Sequence, residues 1–348
     1  MTRHMTRREF GALAGALLLS TKVVAQTETA PLSRPIPGSG ERIPAVGLGT
    51  AYVFDVNNDV TRSKADAVIQ ALVKNGGRLI DTASTYGDAE SVLGEVTAAG
   101  GLRDKLFIAT KLETPDAREL KRSLVRLKTA SVDLLQLHNV SSKQQSLERF
   151  REWKKQGVCR YIGITSTFRR DYPVVEAVLG REKPDVVQID YSLDNREAEK
   201  AILPLAAEIK AGVLTALPYG NGRLFRAVHG KELPDWAREF ANSWGQFFLK
   251  YLLGDPRVTA VIPGPAIPPT WPTTPARCRV RCPIPINVVE WLRSSKPFEP
   301  TTEKHSSSLR RRASGQSNKA KLLHSVSSEL FVCHILTKQA EASLFAVV

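Results

Sequence analysis

Between residues 44 and 262 the chain repeats one alternation: a short apolar, β-branched run, then a turn, then a longer stretch with apolar residues at helical spacing. The short runs are AVGLGT (45–50), RLIDTA (78–83), LFIATK (106–111), VDLLQLH (132–138), YIGIT (161–165), VVQIDYS (186–192), VLTALP (213–218) and TAVIPG (259–264), eight in all. Strands buried on both faces of a parallel sheet read as near-continuous apolar runs, as these do. Between them, Ala65, Val68, Ile69, Leu72 and Val73 share one helical face that stops at Asn75-Gly76-Gly77. Leu120, Leu124 and Leu127 form a second face, and Phe240, Trp244, Phe247, Phe248 and Tyr251 another, as the 3.6-residue period requires. From the second to the seventh, the runs recur roughly every 26 residues, the length of one strand, one helix and two short loops. Eight such units in one α/β domain favour a (β/α)8 TIM barrel over an open doubly wound sheet.

The pattern fails at both ends. Residues 1–25 carry Arg7-Arg8, an apolar run from Gly11 to Leu19 and a small-residue site at Val23-Val24-Ala25. That run is shorter than the about 20 residues a bilayer span needs, so a removable export signal is expected rather than an anchor. Thr6 and Phe10 around the arginine pair resemble a bacterial twin-arginine signal, which implies a periplasmic product. A linker is expected over 26–40, the barrel over 41–264, and an aberrant, disordered tail over 265–348.

Net charge changes the picture less than its size suggests. The total is +14, but residues 1–25 hold four basic and one acidic residue, residues 265–348 hold twelve and five, and the body between them is only +4. Basicity therefore does not mark the folded part as a nucleic-acid binder. Of four cysteines only Cys159 lies in the body, and the lone C-x3-C of Cys278 and Cys282 has no second pair at ligand spacing, so neither a disulfide framework nor a metal site is expected.

Active-site residues of such barrels sit at the carboxyl ends of the strands. Reading those ends gives Asp81, Lys111 and His138, with Tyr86 five residues beyond Asp81. Each alone has an ordinary structural reading, but barrel geometry gathers all four over one mouth. Tyrosine titrates near pH 10, roughly, and a nearby cation favours the phenolate. Lys111 is the candidate cation, Asp81 the group that holds it, and His138 a hydrogen-bond donor to a substrate oxygen. Such a set protonates a carbonyl oxygen while hydride reaches the carbon, and a nicotinamide has to supply the hydride.

These residues resemble the aldo-keto reductase family. GGRLIDTASTYGDAESVLG (76–94) is similar to its strand-and-loop signature, with Asp81 and Tyr86 on two catalytic positions and Gly87, Glu90 and Gly94 matching; Lys111 in FIATK and His138 in DLLQLH fall on the other two. The resemblance runs from about Ile43 to Gly264. It implies reduction of a small aldehyde or ketone with NADPH, NADH being left open, and Tyr86 as proton donor. It also implies that GITS (163–166) and Gln188 hold the nicotinamide carboxamide and that the loop LPYGNGRLF (217–225) approaches the pyrophosphate. The implied cofactor set is Gly49, Thr50, Asp81, Thr165, Ser166, Gln188, Pro218, Tyr219 and Gly220. Two departures stand out: Thr165-Ser166 replaces the usual Ser-Asn, and Ala216 stands where many relatives stack an aromatic ring, leaving Tyr219 as the candidate for that role.

In the family, strand eight leads into a helix that clamps the adenosine phosphate, and a helix N-terminus suits an anion. Here Pro265, Pro268, Pro269, Pro272 and Pro275 occupy that region, and an interior proline costs a helix about 3 kcal/mol. No normal eighth helix is expected, and apolar surface on strands eight and one should be left bare. If the peptide is reverse-translated with suitable codons and one nucleotide is restored just after the Gly264 codon, the shifted frame reads Gly-Thr-Ser-His-Pro-Ala-Asn-Met-Ala-Asp-Asn-Ala-Arg, which resembles the clamp helix. A reading-frame error after Gly264 accounts for the loss of pattern; a genuine low-complexity tail is the competing reading. Three other functions compete with the reductase: a noncatalytic nucleotide-binding barrel, an inactive frameshifted product, and an aldolase using Lys111 as a Schiff base.

Overall fold

The computed structural model describes residues 31–264, so the export-signal reading and every reading after Gly264 lie outside the described residues. All eight expected strands are present. They are β3 (Leu48–Gly49), β4 (Leu79–Asp81), β5 (Phe107–Leu112), β6 (Val132–Leu137), β7 (Cys159–Ser166), β8 (Val186–Asp190), β9 (Gly212–Ala216) and β10 (Ala260–Val261). Each pairs in parallel with the next in sequence order. A parallel bridge from Val46 to Val261 joins the two ends of that order, with Gly47 N donating to Val261 O at 2.9 Å and Gly49 N to Pro263 O at 2.9 Å. The sheet therefore closes on itself, and the fold is the expected (β/α)8 TIM barrel.

Seven principal helices fill the seven connections: Asp59–Lys74, Ala89–Ala99, Ala117–Arg126, Glu148–Lys155, Tyr172–Glu182, Ile202–Glu208 and Trp244–Gly254. Local chemistry sets their ends. The Asn58 side chain caps the first helix by accepting from Thr61 N at 2.9 Å, and Gly76 at φ +76° stops it in the left-handed region that favours glycine. Its buried face is Ala65, Ile69 and Leu72, as the spacing predicts. Ser243 caps the last helix through Gln246 N at 3.2 Å, so Phe240 lies outside that helix. It still stacks on Phe247, with centroids 6.0 Å apart.

Residues 33–40 do not behave as a linker. β1 (Ser33–Pro35) and β2 (Arg42–Pro44) form an antiparallel hairpin, and Ile36 and Ile43, both 1% exposed, enter one apolar cluster with Leu79, Phe107, Leu134, Tyr161, Val186 and Leu214. These barrel residues are the inward set at the amino ends of the strands, so the hairpin plugs the floor. The pattern hid this because the hairpin contributes few apolar residues and surrounds them with proline and glycine. The flank between strands eight and one is also not bare. Val46, Leu48 and Val261 are fully buried, in one cluster with Ala65, Ile69, Leu249 and Leu252.

Candidate active site

Side chains alternate in and out along a strand, so the inward floor residues fix which residues face the mouth. Leu79 leads to Asp81, Phe107 and Ala109 to Lys111, Leu134 to Gln136 and His138, and Val186 to Gln188 and Asp190. The expected four residues meet there. Lys111 Nζ donates to Asp81 Oδ2 at 2.6 Å, to the Thr82 carbonyl at 2.8 Å and to the Tyr86 hydroxyl at 3.4 Å. The Tyr86 and His138 rings meet edge to face, centroids 5.8 Å apart. Lys111 and Asp81 are 2% and 3% exposed. A buried ion pair is costly unless its geometry is good, and here each ionised group has a partner.

The electrostatics differ from the sequence expectation at Tyr86. Burial raises its phenol, Lys111 opposes that and Asp81 adds to it, leaving the group above its ordinary value. The cation acts in the expected direction but burial outweighs it. Burial pulls the Lys111 ammonium down, yet Asp81 and Tyr86 carry it above its ordinary value, so it stays charged. Burial, then the Lys111 charge, pushes the His138 imidazole down to about 4.

The signature glycines and Glu90 serve the scaffold. Gly87 has φ +55°, and a Cβ there would lie 2.5 Å from the Asp55 carbonyl oxygen; at Gly94 it would lie 2.1 Å from that of Arg126. Gly94 thus lets helix Ala89–Ala99 press against the end of helix Ala117–Arg126. Glu90 is buried and accepts from Thr110 Oγ1 at 2.7 Å.

The residues expected around a cofactor, Asp81 apart, fall into three groups. Thr165 and Ser166 end β7, and Gln188 lies midway along β8. Gln188 Oε1 accepts from Gln136 Nε2 at 3.2 Å, and Gln136 Oε1 is buried without a partner. An orphaned amide oxygen beside a second amide fits a ligand that brings its own N–H donors, such as a carboxamide. Thr165 Oγ1 already accepts from Asn139 N at 3.0 Å, and Ser166 Oγ from Phe168 N at 3.2 Å, so both have lone-pair capacity left but are fixed in place. Gly49 takes part in closure through its N–H to Pro263 O, and Thr50 ties the first strand to the second, its N and Oγ1 both donating to the Asp81 carbonyl at 3.0 and 3.1 Å. The loop holding Pro218, Tyr219 and Gly220 is shaped by left-handed Leu217, Gly220, Asn221 and Gly222. The Tyr219 ring packs on Phe225, centroids 4.9 Å apart.

Sequence reasoning missed Glu113, Asp190 and Glu119. Glu113 Oε1 lies 2.5 Å from His138 Nδ1. Asp190 has a buried, unpartnered Oδ1, and burial raises its carboxyl to about 6. Strand alternation offered the signal, since Glu113 follows Lys111, and Asp190 follows Gln188, by two residues. Glu119 Oε1 accepts from Ser84 Oγ at 2.7 Å and Glu113 N at 3.0 Å, which ties together the loops after β4 and β5. Among the described residues, no group of His, Cys, Asp or Glu could hold a metal and no helix is long and apolar enough to cross a membrane. The buried thiol of Cys159 is pushed up to about 12 by burial.

A profile of the Aldo/keto reductase family matches residues 45–268. An aldo-keto reductase of Mycolicibacterium smegmatis is 32% identical over 198 residues, covering 52% of this chain and 64% of that protein. The uncharacterized oxidoreductase YrpG of Bacillus subtilis is 27% identical over 281 residues, covering 65% of this chain and 85% of its own. Among solved structures, an aldo-keto reductase from Klebsiella pneumoniae in complex with NADPH aligns with a TM-score of 0.57 and 25% identity, over 67% of this chain and 85% of that one.

Proposed function

We propose, from the premise that this chain belongs to the aldo/keto reductase family, that it is an NADPH-dependent reductase of small aldehydes and ketones with Tyr86 as proton donor. The observation that carries this reading is the contact of buried Lys111 with both Asp81 and Tyr86 at the barrel mouth. A nicotinamide, when bound, supplies the hydride. Gln188, with Gln136 beside it, and Ser166 and Thr165 would hold its carboxamide, a role the partnerless Gln136 Oε1 supports. Tyr86 keeps its proton at rest because burial disfavours the phenolate, then gives it to the carbonyl oxygen as the carbon is reduced. The Lys111 ammonium faces the phenolate that remains. The Klebsiella relative solved with NADPH supports that cofactor. A Schiff-base role for Lys111 needs a neutral amine, whereas Asp81 holds this one charged. A covalent adduct on Lys111 after borohydride treatment with substrate would overturn the assignment.

The remaining parts of the reading are the twin-arginine signal, a periplasmic location, and a lost nucleotide after Gly264. The family match stops at residue 268, which supports the last. Resequencing codons 255 to 290 tests it; an intact frame would refute it. For the chemistry, Tyr86→Phe should reduce carbonyl-dependent NADPH oxidation by about 10²-fold or more, the usual weight of a positioned acid, while NADPH binding by fluorescence is retained. Unchanged turnover would remove Tyr86 from its role.

A further inference from the structure

The contact between Glu113 and His138 fixes what the second ring nitrogen can do. Oε1 and Nδ1 lie 2.5 Å apart, and Thr85 Oγ1 lies 3.4 Å from each of them. A carboxyl oxygen and a ring nitrogen in hydrogen-bonding contact share a proton, since two lone pairs facing each other would repel. The ring is 7% exposed, and its backbone N–H is spent on the Leu112 carbonyl at 2.8 Å. With Nδ1 engaged by Glu113, Nε2 is the nitrogen left to meet a substrate oxygen.

Proton counting then separates two forms of the pair. With one shared proton, Nδ1–H donates to the carboxylate and Nε2 has only a lone pair. With one proton more, Nε2 carries N–H whether that proton sits on the ring or whether Glu113 donates to Nδ1. Only this second form can donate to a carbonyl oxygen; the first accepts from an alcohol hydroxyl. We propose that Glu113 is a positioning residue that sets the proton on His138, so that the Glu113–His138 pair selects carbonyl when it holds the extra proton and alcohol when it has lost it. This rests on the reductase reading above. The pair orients substrate and is not consumed: the new O–H proton comes from Tyr86, and the new C–H bond from the nicotinamide hydride.

The surroundings say where the extra proton resides. Burial, then Glu119, raises the Glu113 carboxyl, with Thr85 opposing, while burial and Lys111 push the ring down to about 4. The carboxyl is therefore the better holder. The charged or titratable groups facing the pair are Asp81 and Tyr86 from β4 and its loop, Lys111 from β5 and Glu119 from helix Ala117–Arg126.

The test is the tautomer itself. In the full-length protein labelled with 15N-histidine, long-range 1H–15N spectra from pH 4.5 to 9 should show His138 as the Nδ1–H form at high pH and gain the Nε2 proton as pH falls; loss of the signal in His138→Gln assigns it. Glu113→Gln, whose amide N–H can donate to Nδ1, should hold Nε2–H throughout, and Glu113→Ala should release the ring to the same form at high pH. A wild-type ring that is Nε2–H at high pH, or a Glu113→Gln ring that titrates as wild type does, overturns the proposal. In parallel, wild-type kcat/KM for carbonyl reduction should fall about tenfold per pH unit above the pair's midpoint, as loss of a single essential proton dictates, and Glu113→Gln should lose that limb. Absence of carbonyl turnover in every form would count against the reductase reading alone, because the tautomer spectra need no turnover.

Discussion

The barrel carries charges at both ends, and the two ends use them differently. On the floor, Asp133 accepts from Ile108 N at 2.8 Å and Arg160 at 2.8 Å and pairs with Arg103 at 3.2 Å, while Glu41 pairs with Arg78 at 3.5 Å and also with Arg160. The arginines there are part-exposed, and Asp133 has partners on both oxygens. At the mouth, Lys111 and Asp81 are almost fully buried, yet Asp81 Oδ1, Gln136 Oε1 and Asp190 Oδ1 have no partner. Saturated charges hold a shape, whereas buried polar atoms without partners cost free energy and are explained by something that binds them. Glu90 Oε2 and Ser123 Oγ, on helices Ala89–Ala99 and Ala117–Arg126, also lack a hydrogen-bond partner, so the contrast distinguishes floor from mouth rather than scaffold from chemistry throughout the molecule.

The largest effect is expected from Lys111→Met. It strands Asp81 in a buried site, and losing one partner of a buried pair costs about 3–5 kcal/mol. Urea denaturation should show that loss, with carbonyl reduction abolished. Adding Asp81→Asn should recover most of the stability and none of the turnover. Full stability in the single variant would mean the pair is hydrated after all.

The matching change at the floor is Ile43→Ala. Ile43 is 1% exposed among Phe107, Leu134 and Leu214, so truncation should cost about 2–5 kcal/mol through the cavity it leaves. Below the resulting Tm, KM and kcat should be unchanged, because the floor touches no reacting atom. A kinetic effect as large as the stability effect would erase the distinction between the ends.

How much of this is legible in the sequence differs along the same line. The eight strands could be read because both-face burial leaves near-continuous apolar runs, the intervening helices because apolar residues recur at helical spacing, and the strand-end positions of Asp81, Lys111 and His138 because barrels present strand ends. The floor hairpin could not, since Ile36 and Ile43 are isolated between prolines and their role depends on closing a barrel rather than on any local period. Glu113 and Asp190 carried a readable signal in two-residue alternation, but Glu113 stands just beyond the last apolar residue of its run, and Asp190 sits between Ile189 and Tyr191 where a lone carboxylate has no partner in the sequence pattern. The direction of the Tyr86 shift was not readable at all, because it depends on how much burial opposes Lys111, and burial is a tertiary quantity.

A smaller effect at the mouth depends on pH. Burial raises the Asp190 carboxyl from its ordinary value to about 6. A group whose folded value exceeds the unfolded one contributes stability that is fully present below the unfolded value and lost as pH rises through the folded one. Stability should therefore drop across roughly pH 4 to 6, by at most about 3 kcal/mol. Asp190→Asn should remove that drop in denaturation curves taken at pH 4.5 and 7.5; an unchanged difference would place the titrating group elsewhere.

The smallest expected effect is Arg160→Ala. Its side chain is 51% exposed and reaches Asp133 and Glu41 while lying over the Phe107 and Tyr161 rings. Exposed pairs are worth about 0–1 kcal/mol, and the stacked guanidinium adds a similar amount at most. Asp133 keeps Arg103 and the Ile108 amide, so no buried charge is left alone. A loss of about 1 kcal/mol, reduced further by salt and without kinetic consequence, is what a saturated network predicts. A loss as large as that of Lys111→Met would show that redundancy at the floor is only apparent, and that partner counting does not tell the two ends apart.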